Sequence, residues 1–76
     1  MADLESLDRT LIAADVSLVE VDRQLRIQQK IVGDLLERGD DAKCASDLLN
    51  FFQWRRMSLA RKCDRLMRIR ARLIRE

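Results

Sequence analysis

From Leu4 to Leu35 the chain repeats one spacing: Leu4, Leu7, Leu11, Ala14, Leu18, Val21, Leu25, Gln28, Val32 and Leu35 follow one another at alternating steps of three and four residues. The mean step of 3.5 nearly matches the turn of an α-helix, so these positions form a single stripe, the seam of a coiled coil. Only Gln28 is polar. The pattern stops at "ERGDDAK", where Gly39 suits the left-handed end of a helix and Asp40 or Asp41 can cap the next one. Gly33 is a rival stop, but Leu35 and Leu36 carry the pattern past it.

Beyond the turn, Ala45, Phe52, Leu59, Leu66 and Leu73 recur every seventh residue, with Leu48, Leu49, Cys63, Ile69 and Ile74 expected on the same side. Proline is absent and there are only two glycines. The expected fold is therefore all-α: one domain over 1–76, with helix 1 over about 3–38, a turn at about 39–41 and helix 2 over about 42–75. An antiparallel hairpin follows, because residue numbers of facing layers (Leu35 with Ala45, Val21 with Leu59, Leu7 with Leu73) add to a constant 80.

Charge agrees with this folding back. Residues 1–41 hold ten acidic and five basic side chains, whereas residues 42–76 hold three and ten. The arms thus carry net charges of −5 and +7. Asp3, Glu5 and Asp8 are expected near Arg68, Arg70, Arg72 and Arg75, and Arg56, which interrupts the apolar face of helix 2, near Glu20 or Asp22.

A lone hairpin needs one apolar stripe per helix. Helix 1 has a second, formed by Ile12, Val16, Val19, Ile27 and Ile31, and helix 2 directs Phe51, Trp54 and Met57 away from its seam. A chain of 76 residues buries little core by itself. These eight residues are therefore expected to form an oligomer interface, with a homodimer closing two hairpins into a four-helix bundle, or with a domain-swapped dimer of longer continuous helices that uses the same seam. The expected partners are a second copy and, through the assembled module, another protein.

No catalytic apparatus is legible. There is no histidine or tyrosine, no glycine-rich phosphate loop, and no cluster of residues at metal-ligand spacing. Cys44 and Cys63 would lie about 28 Å apart on one helix, too far to bridge, and read as reduced thiols. The expectation is a non-enzymatic interaction or scaffold module without cofactors, in the cytoplasm. The start "MADLESLDRT" lacks the basic and apolar regions of a signal peptide, and no stretch has the ~18 apolar residues of a membrane span. A membrane partner is not expected.

Nucleic acid is the alternative partner. Arg61, Arg65, Arg68, Arg72 and Arg75 form a stripe opposite the seam of helix 2, with Trp54 two turns earlier on the same line. Guanidiniums can neutralise phosphates and an indole can stack on a base, so an RNA-binding regulator could use this face. In plan, the expected dimer resembles the Rop-type plasmid regulators, two-fold four-helix bundles that bind paired RNA loops, although none of their RNA-contacting residues can be matched here. The segment "MADLESLDRTLIAAD" resembles small uncharacterised helical proteins of alphaproteobacteria, which implies a bacterial origin and no particular activity.

Overall fold

A computed structural model describes residues 4–75 as two helices, α1 (Leu4–Glu37) and α2 (Lys43–Arg75), packed against each other as an all-α hairpin. The expected start of helix 1 at residue 3 lies outside the described residues. The hairpin is long and thin, 58 × 17 × 14 Å.

The turn is made by glycine and aspartate chemistry. Gly39 has φ = 73°, the left-handed conformation that costs a glycine little. Its N–H donates to the carbonyl of Leu36 at 3.1 Å, while the N–H of Asp40 donates to that of Leu35 at 2.9 Å. These two bonds form a Schellman motif, which satisfies carbonyls the helix end would leave unpaired. Of the two candidate caps, Asp41 acts: its carboxylate accepts the Lys43 N–H at 3.0 Å. Gly33, by contrast, sits inside α1 with open space where a Cβ would project.

The α1 seam is the one expected from Leu7 onward, while Leu4 at its start is exposed. Leu7, Ala14, Val21, Leu25, Gln28 and Val32 are buried, Leu11, Leu18 and Leu35 half-buried, and Val21 is only 1% exposed. The Gln28 amide donates to the Ala45 carbonyl across the hairpin at 2.9 Å, so the polar residue in the seam is satisfied.

The α2 seam differs from the expectation in composition. Leu48, Ile69 and Ile74 are exposed and flank the contact instead of filling it, and Leu73, at the far end of the expected repeat, is exposed as well. The three-and-four pattern that packs runs through Ala42, Ala45, Leu49, Phe52, Arg56, Leu59, Cys63, Leu66 and Arg70, and so includes two arginines. Each is paired across the hairpin. Arg56 Nε donates to Asp22, one of its two expected partners, and Arg70 Nε donates to Asp8 at 2.6 Å. Both pairs add to 78, so the charged cross-links follow one register two positions off the expected 80. Of the other acids expected at that end, Glu5 pairs with Arg9 within α1, and Asp3 lies outside the described residues.

The two glycines should respond oppositely to alanine. Gly33→Ala should raise stability by about 1 kcal/mol, since the helix interior favours alanine and nothing obstructs the new methyl group. Gly39→Ala should lower it by about 1 kcal/mol, because an L side chain is strained at positive φ. Urea titrations followed by circular dichroism check both signs.

Candidate functional site: two exposed edges and an arginine face

A two-helix hairpin has an inner seam, two edges at about a right angle to it, and the outward backs of the helices. Helical periodicity assigns each exposed residue to one of these. The first edge is marked by a groove in which Asp22, Leu25, Arg26 and Gln29 of α1 lie beside Gln53 and Arg56 of α2. The second edge lies on the opposite side of the seam.

All eight residues expected at an oligomer interface are exposed: Ile12, Val16, Val19, Ile27, Ile31, Phe51, Trp54 and Met57. They do not share one face. Ile27 and Ile31 project toward the second edge from α1, and Phe51 projects there from α2 together with Leu48, which the sequence reading had assigned to the seam. These four stand at similar heights in the half of the hairpin near the turn. Ile12 and Val19 belong to the first edge, as does Met57, and Val16 and Trp54 to the backs of their helices.

The aromatic residues extend the second-edge cluster. Ring centroids of Phe51 and Phe52 are 5.9 Å apart, and those of Phe51 and Trp54 are 6.5 Å apart, so one chain of rings runs from the seam to the back of α2. Ile12, Val16 and Val19 instead line a shallow apolar depression on α1 with Asp15 and Glu20.

Arg61, Arg68 and Arg75 lie on the back of α2, with Arg65 and Arg72 beside them toward the second edge, and all five are exposed. Arg68 reaches Asp64 at 4.0 Å on its own helix. Among the described residues the other four have no carboxylate partner. The arginines that α1 neutralises are therefore Arg56 and Arg70, and the stripe keeps its charge toward solvent. An open surface depression lies among Arg61, Asp64, Arg65 and Arg68. Trp54 is 65% exposed on the same line.

Cys44 is exposed and Cys63 buried in the seam, both as free thiols. Among the described residues no group of three or more histidine, cysteine, aspartate or glutamate side chains could hold a metal ion, and no helix is long and apolar enough to cross a membrane. No protein-family model matches the chain, and neither does a curated protein sequence or a solved structure.

Proposed function

We propose that this chain is a homodimeric interaction module without catalytic activity, in which two hairpins close into a four-helix bundle that presents its surface to a further protein. The observation that carries this reading is the area left open. A compact monomer of 8.9 kDa exposes about 4,800 Å², whereas the hairpin exposes 6261 Å². The excess, about 1,450 Å², is ample for a stable dimer, which needs about 800 Å² from each partner.

The kind of surface supports the same conclusion. Isolated exposed aliphatic residues are ordinary, but here aliphatic side chains of α1 and aromatic ones of α2 project toward one edge. A second copy meets this need with symmetry alone. Two free thiols, one of them exposed, suit a reducing compartment, and we place the protein in the bacterial cytoplasm.

The arginine stripe supports a second reading, an RNA-binding regulator. Four guanidiniums on α2 that have no carboxylate partner among the described residues form a local field that the overall charge of +2 conceals. The usual meaning of such a row is a solvated face, and we favour the scaffold.

Light scattering should give twice the chain mass of 8.9 kDa at micromolar concentration. A monomeric, fully helical protein under those conditions overturns the module. For the second reading, Arg65→Glu with Arg72→Glu should change stability by no more than about 1 kcal/mol per site. Filter binding of the parent to RNA should be weak and vanish at moderate salt. Tight binding that survives moderate salt and is lost on reversal of these two arginines would establish the regulator instead.

A further inference from the structure

Given the homodimer proposed above, on which this inference rests, we infer that the second copy docks on the edge bearing Ile27, Ile31, Leu48 and Phe51, with the turns of both hairpins at the same end of the bundle.

The choice of edge follows from where charge interrupts the apolar surface, since both edges expose large apolar residues: Leu36, Met57, Met67 and Ile74 join Ile12 and Val19 on the first. Ile27 and Phe51 are each about half exposed, at 52% and 51%, and Ile31 and Leu48 only slightly less. With Trp54 alongside Phe51 they make an apolar patch on the order of 500 Å², near the size at which such patches mark binding sites and near the apolar share of a standard interface. On the first edge, Asp8, Asp15 and Asp22 stand in a row beside the α1 seam and separate Ile12 and Val19 from α2. Carboxylates so placed would have to be desolvated by a partner.

The orientation follows from symmetry and charge. Two hairpins packed face to face can be related by a two-fold axis along the bundle or by one across it. An axis across the bundle turns one hairpin end for end, so that α1 neighbours α1 of the partner and α2 neighbours α2. Acid then lies beside acid, and base beside base. An axis along the bundle keeps both turns at one end and sets each α1 beside the α2 of its partner. The −5 arm then lies beside the +7 arm on both sides of the interface.

Residue heights agree with the second arrangement. Helices α1 and α2 of different copies then run antiparallel in a register close to that within one chain, where paired residues add to 78. Ile27 meets Phe51 of the partner subunit, and Ile31 meets Leu48 of the partner subunit. Farther from the turn, Glu20 comes between Arg55 of the partner subunit and Lys62 of the partner subunit. With the turns at opposite ends in full overlap, the same apolar patch would face the half of the edge that carries Lys62, Arg65 and Arg72, leaving apolar surface unmatched and cations desolvated.

Two measurements on the intact chain test this. Phe51→Asp and Ile27→Asp should each yield a helical monomer by light scattering and circular dichroism, since both residues are exposed in the hairpin, whereas Ile12→Asp should leave the mass unchanged. Interchain distances between nitroxide labels then read the orientation, in a Cys63→Ala background. One protein carries the label at Cys44 near the turn, and another at Arg68→Cys with Cys44→Ser near the far end. Same-end docking predicts that both distances fall below about 40 Å, the width of a bundle with helices ~10 Å apart plus two labels. A dimeric mass with either distance beyond about 40 Å, or with dimerisation lost in Ile12→Asp and kept in Phe51→Asp, overturns the docking mode while leaving the homodimer intact. A parent that is monomeric at all accessible concentrations removes both.

Discussion

Everything in this molecule depends on a geometric limit: two helices share one line of contact. A helix in a two-member packing can bury one stripe, about a third of its circumference, and the rest stays in water whatever its chemistry. The α1 seam takes full advantage of that line, with residues buried or half-buried from Leu7 to Leu35. The same limit leaves Ile12, Val16, Val19, Ile27 and Ile31 outside. No rearrangement of a single hairpin can cover them, because turning either helix to hide its back would expose its seam.

Within that line, polar side chains appear where they can be satisfied. Arg56 and Arg70 occupy positions that leucine would fill more cheaply in desolvation, yet each lays its stem along the contact and carries its guanidinium to an aspartate at the margin. The pairs are about half exposed, so their Coulomb energy is screened and modest. Their larger effect is on alternatives. Sliding one helix past the other by a heptad would keep leucine opposite leucine but set Arg56 and Arg70 against the wrong residues, and would also separate the Gln28 amide from the Ala45 carbonyl. Three polar contacts in a largely repetitive seam thus distinguish one register among near-equivalents.

Much of the fold was legible in the sequence because the α1 pattern is almost purely apolar and the turn has its own chemistry. Gly39 and Asp41 act as their residue types suggest. The α2 seam was less legible. An apolar pattern takes in Leu48, Ile69 and Ile74, which the structure leaves exposed; Arg56 is legible as an interruption of that pattern with Asp22 as a candidate partner, whereas Arg70, though expected near Asp8, shows its place in the seam only in the folded pair. The same difficulty governed the candidate interface. That eight apolar residues lie off the seam can be read from either helix alone. Which of them share an edge depends on the relative rotation and register of both helices, information that resides in pairs such as Arg56 with Asp22 and not in any single stretch of sequence.

Charge segregation acquires a further meaning from this geometry. Inside one hairpin an acidic α1 and a basic α2 attract, but that attraction would be served as well by a few pairs at the seam margin, and only Asp22 with Arg56 and Asp8 with Arg70 cross between the helices among the described residues. Most of the opposite charge points elsewhere. In a bundle closed by a two-fold axis along its length, each arm has two neighbours of the other sign, one in its own chain and one in its partner, so segregation by arm stabilises the assembly twice. Reversing one hairpin end for end would turn half of those contacts into like-charge ones. An arrangement of charge that discriminates weakly within a monomer therefore discriminates strongly between the two ways of pairing monomers. Arg61, Arg68 and Arg75, on the back of α2, stand outside this exchange, and in the assembled bundle they would still face solvent as two rows of cations, one from each copy.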